Sequence, residues 1–506
     1  MDISYYNAEV DKILSDILGN DSFIDQDLPE FVSLVSNTIY QYHTDLPLDK
    51  LKVVIQYLME NKYQKHYIYD AHSKFNSALN SAQQPKVPNS PAETGKVDCP
   101  DKIQLGCSED LVSHTHDYGQ NEYTEEIYLK RLERICQVKQ LPQAEQKSEK
   151  WLQQRSECLT ATAIAIVLDE DPYKYPAELL IDKCGKGAPF EENENVHHGK
   201  KYEQIGNMYY SFRNNVNVGE YGLLQNDKYK FIGASPDGIC EKNTGENKLT
   251  KLVGRLLEIK FPRLRRINTE GDLDGDICPH YYYVQVQTQL FVTQLDECDF
   301  LQCQMEEYDS WEDFLQDSNK SIPSLSKKTN LEKGCLVQLF PRKMVGVGDP
   351  KQCLYHSKYI YPPKLHMGPA EIEKWVGDEV LTFNKSEWFK DYVIDRIIYW
   401  RLAKIACHLI KVDKPWFQSK IPMLKQFWNY VLFYRKYPNK LTKIMEYVEE
   451  VGSKNSALIF ERVNKDYLSV NKESRYKPLY QEKSEWRKKY DEKSNKYKSQ
   501  TKVVKI

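Results

Sequence analysis

Two carboxylates and one lysine are spaced along the chain in a way that suits metal-dependent chemistry. Asp237 follows the apolar run 229–234 at a Pro-Asp-Gly turn, and Glu258 and Lys260 lie two residues apart in the apolar run 256–260. Side chains two apart on a strand share a face. We therefore expect Asp237 to lie beside Glu258 and Lys260 if the two runs pair as neighbouring strands.

These side chains suit the hydrolysis of a phosphodiester, whose negative charge repels anionic nucleophiles. Such a site needs a hard cation, and Mg²⁺ binds one or two carboxylates together with waters and phosphate oxygens. Asp237 and Glu258 would supply the carboxylates, and the backbone carbonyl of Ile259 would supply a further oxygen. Lys260, with a lowered pKa, would orient or deprotonate the attacking water and stabilise charge on the phosphorus oxygens.

Neither motif is specific alone, because 28% of the residues are charged and most Asp-Gly pairs simply form turns. The specificity comes from further motifs that accompany them in a fixed order. These are a Trp/Arg segment at 151–162, His-Gly-Lys-Lys-Tyr-Glu at 198–203, Ser-Pro-Asp-Gly at 235–238, Glu-Ile-Lys at 258–260 and Gln-Val-Gln at 285–287.

In this order the motifs resemble those of the phage lambda exonuclease and YqaJ-type recombinase family, within the PD-(D/E)XK nucleases. The resemblance covers about residues 145–310. It implies an α/β fold, a restriction-endonuclease-like core with a mixed central sheet flanked by helices. Apolar spacing elsewhere in the chain adds an N-terminal helical unit and C-terminal helices. The resemblance also implies a Mg²⁺-dependent exonuclease that degrades one strand of double-stranded DNA from a 5′ end, leaving a 3′ single strand for recombination or repair.

The resemblance assigns roles to the residues of the motifs. Asp237 and Glu258 match the metal ligands, Lys260 matches the catalytic lysine, and Gln285 matches the glutamine that follows the catalytic strands. Glu203 matches an acidic residue that helps to hold a second ion. The family therefore implies two Mg²⁺ ions per site, and we expect Mn²⁺ to replace them.

A second group of residues is assigned to DNA. Arg155, Thr162 and Ser235 resemble the pocket that binds a terminal 5′-phosphate. Thr162 stands where the compared family member has serine, and its extra methyl group leaves strict dependence on a 5′-phosphate open. The basic segment with Arg263, Arg265 and Arg266 suits contacts to the DNA backbone that carry no base-sequence readout.

Each of these assignments has a plainer alternative. Trp151 is equally well explained as a packing residue, and Arg155 as the partner of a surface ion pair. The glutamines at 285–289 alternate with apolar residues as on a solvated strand, although the family pattern favours a helix. His197 and His198 have no third ligand at zinc-like spacing, so a loop or helix-cap role is favoured over a metal site.

Four segments follow from patterning along the chain. They are a helical unit at 1–75, a flexible linker at 76–122, a nuclease domain with C-terminal helices at 123–440, and a charged, Lys-rich tail at 441–506. Apolar periodicity predicts helices over 123–141, 388–411 and 415–436 and strands over 300–306 and 334–340. Residues 464–506 contain 13 Lys or Arg against 6 Asp or Glu, which predicts a segment that is disordered or becomes helical only on binding.

Composition limits the classes of protein to consider. A net charge of −3 argues against a protein that coats a polyanion. The chain has no apolar run that could span a membrane and no charged-then-apolar leader, so we expect a soluble intracellular protein. The 12 cysteines lack a Cys-X-X-Cys pair, and we expect free thiols. The abundance of Lys, Asn and Tyr suggests an AT-rich genome such as that of a large DNA virus, which places the protein in the host cytoplasm or at the site of viral replication.

Two other functions remain open at this stage. The same metal core would also serve a structure-specific DNA endonuclease, and a non-catalytic DNA-binding scaffold would keep the fold without the chemistry. The partners that the resemblance implies are double-stranded DNA with ends, a single-strand annealing protein and further copies of the chain in a ring trimer. No ATP-binding loop of the Walker type occurs in the sequence.

Overall fold

The computed structural model describes residues 125–144, 148–189, 192–243, 251–346, 350–472 and 474–503. The helical unit predicted at 1–75 and the linker predicted at 76–122 lie outside these residues. The chain divides into two compact units. We call the described part of Asp101–Gln304 and Lys404–Ile506 the site unit, and the described part of Met305–Ala403 the second unit.

Six helices of the site unit precede residue 304 in the described part of the chain. They are α1 (Glu125–Gln140), α2 (Glu149–Ser156), α3 (Ala161–Val167), α4 (Pro176–Lys183), α5 (Glu194–Asn214) and α6 (His280–Thr293). Local residues explain two of the helix ends. Ser148 caps the N-terminus of α2 by accepting a hydrogen bond from the Trp151 N–H, and Gln294 ends α6 in the left-handed conformation. The predicted helices at 123–141 and at the Gln-Val-Gln motif are confirmed.

The strands before residue 310 form two sheets. They are β1 (Leu159–Thr160), β2 (Val216–Gly219), β3 (Leu224–Gln225), β4 (Ile232–Ala234), β5 (Gly238–Asn243), β6 (Leu256–Lys260) and β7 (Glu297–Glu307). A small sheet has the order β1-β4-β3, and in the main sheet β2, β5, β6 and β7 are successive neighbours. The β5–β6 pair is antiparallel and the β6–β7 pair is parallel. The predicted α/β core with a mixed sheet flanked by helices is confirmed.

Close packing of α5 on β6 depends on a glycine. A Cβ atom on Gly206 would lie 2.7 Å from Cγ2 of Ile259 and 2.9 Å from Cε2 of Phe261. Any larger residue at this position would push α5 away from the strand that carries Glu258 and Lys260. Gly206 therefore lets the helix with the Gly-Lys-Lys-Tyr-Glu motif approach the strand with the Glu-Ile-Lys motif.

The sequence predicts that the run 229–234 pairs with the run 256–260, and this prediction is wrong. The strand within 229–234 is β4, and it belongs to the small sheet, where Ile232 lies opposite Leu159. The partner of β6 is β5, which begins directly after Asp237, with Gly238 opposite Leu257. Pro236 cannot donate a ladder hydrogen bond, so the turn at 235–237 divides two strands that join different sheets.

The second unit contains a β-rich segment where a helix was predicted. Its elements are α7 (Trp311–Gln316), β8 (Lys333–Pro341), α8 (Pro350–Tyr355), β9 (Lys358–Ile360), α9 (Pro369–Thr382) and the first part of β10 (Tyr392–Lys411), with short 3₁₀ helices at Arg342–Met344, Phe383–Lys385 and Glu387–Lys390. The helix predicted over 388–411 is wrong, because β10 runs antiparallel to β8 from Tyr392 to Arg401. Its β-branched and aromatic residues favour a pleated strand over a helix. The strands predicted at 300–306 and 334–340 are confirmed.

The C-terminal segment is packed and helical, contrary to the tail predicted over 464–506. The site unit continues with α10 (Lys414–Lys436), α11 (Pro438–Val451), α12 (Ser456–Val470) and α13 (Glu485–Val503), and the helix predicted at 415–436 is confirmed as α10. Asn464 and Tyr480 are buried, and the Tyr480 hydroxyl donates to the carbonyl of Val167 at 2.5 Å. The count of charged residues does not predict these contacts. A few buried side chains are enough to hold the segment against the core, even though most of its lysines are solvated.

Arg487 attaches the start of α13 to the loop that follows α3, residues 169–175, which we call the 169–175 loop. The Arg487 side chain is 1% exposed. Its Nε donates to Asp169 Oδ1 at 3.2 Å, and its Nη2 donates to the carbonyls of Asp171 and Lys174. Ser484 adds a hydrogen bond from its hydroxyl to the carbonyl of Asp169 at 2.7 Å.

The neighbouring Trp486 contacts the first residue of α6. Its ring stacks on the His280 imidazole with 5.7 Å between ring centroids and 24° between planes. His280 also lies between Asp274 Oδ1 at 2.7 Å and Glu170 Oε2 at 3.0 Å. Burial alone lowers the pKa of His280, but these two carboxylates raise it to about 9, so the imidazole is a cation at neutral pH.

In the part of the chain that the structure describes, no helix is both long and apolar enough to cross a membrane. Every cysteine within the described ranges is a free thiol. The division into a domain at 123–440 and a tail at 441–506 stays a prediction.

The Arg487→Met variant should be destabilised, because it leaves the Asp169 carboxylate buried without its cation. Removing one partner of a buried ion pair costs about 3–5 kcal/mol. Urea unfolding followed by tryptophan fluorescence measures the shift in midpoint. Lys488→Met is the matched control, because the ion pairs of Lys488 with Glu482 and Glu485 are exposed and its midpoint should not move. Equal midpoints for both variants would show that Arg487 does not anchor the segment.

Candidate active site

Asp237, Glu258 and Lys260 converge at one end of the β5–β6 pair. Asp237 Oδ2 accepts a hydrogen bond from the backbone N–H of Ile259 at 2.8 Å, which places this carboxylate against β6. Lys260 Nζ donates to Glu258 Oε1 and forms an ion pair with it. The structure therefore brings together the three residues that the motifs singled out.

Glu258 is 0% exposed, and two glutamines of α6 hold its carboxylate. Gln285 Nε2 donates to Oε1 at 2.7 Å, and Gln289 Nε2 donates to Oε2 at 2.6 Å. Residues four apart lie on one face of a helix, so a single helix supplies one amide to each oxygen. A buried carboxylate needs such donors, since an unpaired buried charge is strongly destabilising.

Burial and neighbouring charges shift the protonation of Asp237 and Lys260. Burial, and then the charge of Glu258, raise the pKa of Asp237 well above its ordinary value. Burial alone lowers the pKa of Lys260, but the Glu258 and Asp237 carboxylates raise it above that of a free lysine. The lowered pKa expected for Lys260 beside a bound ion stays a prediction. The ammonium also lies 4.6 Å from the centre of the Tyr282 ring, which favours a cation.

The donor set fits a magnesium ion with few protein ligands. Within the described residues, no group of three or more His, Cys, Asp or Glu side chains is arranged to hold a metal. Two carboxylates with the Ile259 carbonyl suit Mg²⁺, which usually keeps several waters and takes one or two protein carboxylates. Glu203 is exposed on α5, and its charge raises the pKa of Asp237, so it acts on the site through space.

His197 has a partner other than a metal. It is buried in α5, and its Nδ1 lies 3.2 Å from Glu192 Oε1. Lys200 forms an ion pair with the same carboxylate. The pair of histidines therefore lies within α5, where the contact of His197 with Glu192 explains one of them without a zinc ion.

A cationic cleft of about 410 Å³ lies in the site unit, lined by Arg155, Ser156, Thr160, Thr162, Ala163, Ile166, Lys174, Leu179, Asp182 and Lys183. The predicted phosphate residues Arg155 and Thr162 thus line one cavity. The Arg155 guanidinium lies 4.4 Å from the centre of the Trp151 ring, and Trp151 Nε1 donates to the Ser235 hydroxyl at 3.4 Å. Trp151 is half-buried and links Arg155 to Ser235.

Lys183 was not identified from the sequence, although it lines this cleft. Its Nζ donates to the carbonyls of Arg155 and Cys158, each at 2.7 Å. Burial lowers its pKa to about 8. Lys183 therefore fixes the backbone at Arg155 and adds positive charge to the wall of the cleft.

The three arginines of the basic segment after β6 make different kinds of contact. Arg263 forms an ion pair with Glu194 at 2.8 Å. Arg265 donates to Gln302 Oε1 at 2.8 Å and is half-buried, whereas Arg266 is exposed. The three arginines therefore do not form one uniform exposed patch.

Gln289 and Tyr282 are the other functional candidates that sequence reasoning missed. The four-residue spacing of Gln285 and Gln289 was a usable signal, because on a helix it places both amides on one face. No comparable signal marked Tyr282, whose contact with Lys260 depends on how α6 packs on the sheet.

Comparison with known proteins identifies relatives. Residues 150–296 match the YqaJ-like viral recombinase domain. An uncharacterized protein of Acanthamoeba polyphaga mimivirus is 53% identical over 525 residues, covering 97% of this chain and 96% of the relative. The crystal structure of LHK-Exo, an alkaline exonuclease from Laribacter hongkongensis, is similar at 16% identity and a TM-score of 0.30, covering 59% of this chain and 100% of that one. Its complex with dAMP gives 15% identity and a TM-score of 0.31 over the same shares.

Gln289→Leu should weaken binding of a divalent cation, because one oxygen of Glu258 loses the donor that orients it. Residues that orient metal ligands typically contribute about 10–100-fold to metal affinity. Titration of the DNA-free protein with Mn²⁺, followed by electron paramagnetic resonance, measures this loss directly.

Gln287→Leu is the matched control on the same helix. Gln287 is also fully buried, but its amide donates to the Lys411 carbonyl and accepts from the Asp413 N–H. Its replacement should lower stability and leave Mn²⁺ affinity unchanged. Equal affinities of wild type and Gln289→Leu, or equal losses in both variants, would contradict a specific role for Gln289.

Proposed function

This chain belongs to the YqaJ-like viral recombinase family, and we propose that it is a Mg²⁺-dependent deoxyribonuclease. It degrades one strand of double-stranded DNA from a 5′ end and leaves a 3′ single strand for recombination or repair. The observation that carries this proposal is the convergence of Asp237, Glu258 and Lys260, with Glu258 held by Gln285.

This cluster has the properties of a reactive site more than of a structural ion pair. Two carboxyl groups and an ammonium share a desolvated space, and burial together with mutual charge shifts the pKa values of Asp237 and Lys260. Replacing a buried ion pair with well-packed apolar residues often stabilises a protein. A cluster of shifted titratable groups is therefore better explained by chemistry than by stability.

The residues present fit a divalent cation held by Asp237, Glu258 and the carbonyl of Ile259, and we propose that Glu203 helps to hold a second ion. Such a cation supplies Lewis-acid chemistry and neutralises charge on phosphate oxygens, and Mn²⁺ is expected to replace Mg²⁺. Lys260 competes for the same Glu258 oxygen in the structure. Lys260 would orient or deprotonate the attacking water and stabilise negative charge on the phosphate.

Selection of the 5′ end is assigned to the cleft with Arg155. A guanidinium binds phosphate through two parallel hydrogen bonds, and Trp151 and Lys183 hold Arg155 in place. The Thr162 hydroxyl lies 3.2 Å from that of Thr160 and offers a further donor. The exposed Arg266 suits the DNA backbone and would make binding sensitive to salt.

The family also suggests a substrate, an assembly and a partner for this protein. We propose that the substrate is double-stranded DNA with ends, processed within a viral replication cycle, in line with the giant-virus relative. A ring trimer around DNA and a single-strand annealing protein are the assembly and the partner that this function would require for processive work.

Asp237→Asn and Lys260→Met should each slow digestion by about 10³-fold, within the range found for catalytic groups of these kinds. The assay follows a 5′-labelled linear duplex with Mg²⁺ and with EDTA. The controls are Asp296→Asn and Lys414→Met, which carry the same chemical changes at an exposed ion pair of the site unit. Near-normal digestion by either site variant would refute its assignment, and efficient cutting of covalently closed circles would favour an endonuclease.

Arg155→Ala should discriminate between DNA ends. If Arg155 binds a terminal phosphate, its loss should slow digestion of 5′-phosphorylated ends about 10–100-fold more than that of 5′-hydroxyl ends, the range for a hydrogen bond to a charged group. Arg266→Ala is the control and should slow both ends equally. Equal slowing by Arg155→Ala would assign this residue to structure alone.

A further inference from the structure

Tyr173 presents an unusually open aromatic ring next to the candidate site. Its side chain is 77% exposed. It belongs to the 169–175 loop, and its neighbour Lys174 lines the cleft that also contains Arg155. A single exposed tyrosine is common on protein surfaces, so a role for Tyr173 has to be inferred from its surroundings.

The loop that carries Tyr173 is held in place from both sides. Asp171 Oδ1 accepts hydrogen bonds from the backbone N–H groups of Tyr173 at 2.8 Å and Lys174 at 2.9 Å. The buried Arg487 donates to the carbonyls of Asp171 and Lys174. The backbone under the ring is thus ordered before any ligand binds, which reduces the entropy cost of using the ring as a contact surface.

A series of aromatic rings connects Tyr173 to the lysine of the site. The Tyr173 ring meets Tyr281 edge to face, with 5.7 Å between centroids. Tyr281 lies 4.2 Å from Tyr282, and the Tyr282 ring lies 4.6 Å from Lys260 Nζ. Tyr173 is therefore connected through two rings to Lys260. Along the chain it adjoins Lys174, which lines the cleft and forms an ion pair with Asp182.

We propose that Tyr173 is a stacking platform for the base of the 5′-terminal nucleotide. A nucleotide whose terminal phosphate lies in the Arg155 cleft and whose next phosphate reaches Lys260 would present its base between them. Each base branches from the sugar that joins two successive phosphates, so a ring that adjoins both proposed phosphate contacts could stack on that base. Stacking is tolerant of sequence, because every base has a π-face. This inference rests on the proposed function for its substrate.

The test uses the full-length protein and a 5′-phosphorylated duplex that carries 2-aminopurine as its 5′-terminal base. Binding is followed by 2-aminopurine fluorescence in EDTA, so that binding is read without digestion. Digestion is measured separately with Mg²⁺. Wild type should quench the fluorescence, and Tyr173→Phe and Tyr173→Trp should keep the quenching because they keep a flat ring. Tyr173→Ala and Tyr173→Leu should lose it, and their kcat/KM should fall about tenfold.

The leucine variant separates stacking from simple apolar contact, since leucine keeps apolar area but has no flat face. Leu458→Ala, a truncation at another exposed apolar residue of the site unit, is the control and should behave as wild type. Because Tyr173 is mostly exposed, thermal melting of its variants should match wild type.

Quenching and digestion by Tyr173→Ala equal to those of wild type would overturn the proposal. So would an equal defect in the phenylalanine and alanine variants. A wild-type protein that does not digest the duplex would instead contradict the proposed function, and the fluorescence comparison would still decide whether Tyr173 stacks on a terminal base.

Discussion

The site depends on one buried carboxylate. Glu258 lies on the central strand β6 with no exposed surface, and a charge in that position is tolerated only when each oxygen has a partner. Gln285 and Gln289 supply one amide to each oxygen, and Lys260 supplies the countercharge. The two glutamine contacts fix α6 relative to Glu258, and the hydrogen bond from the Ile259 N–H fixes Asp237 beside β6.

The C-terminal segment stabilises the same arrangement from outside. Arg487 holds the 169–175 loop, which supplies Lys174 to the cleft and carries the exposed Tyr173. Trp486 stacks on His280 at the beginning of α6, the helix that carries both glutamines. A segment that reads as a solvated, lysine-rich tail therefore touches the two elements on which the proposed substrate contacts depend.

The sequence predicted the parts of the site that lie within short motifs, because spacing on a strand or helix determines which side chains share a face. It did not predict parts set by tertiary packing. The partner of β6 was misassigned because the Pro236 turn redirects the chain into another sheet, and β10 was read as a helix because its apolar positions also fit a helical period. The anchoring of the tail by Arg487 and Tyr480 leaves no periodic signal at all.

The most direct test of the central claim is a crystal structure of the protein with Mn²⁺, using anomalous scattering to locate the ion. We expect a manganese peak bound by the Asp237 and Glu258 carboxylates and the Ile259 carbonyl, with Lys260 moved away from Glu258 and both glutamine contacts kept. Saturating Mn²⁺ that leaves the Lys260–Glu258 ion pair intact, with no peak between the two carboxylates, would contradict the account.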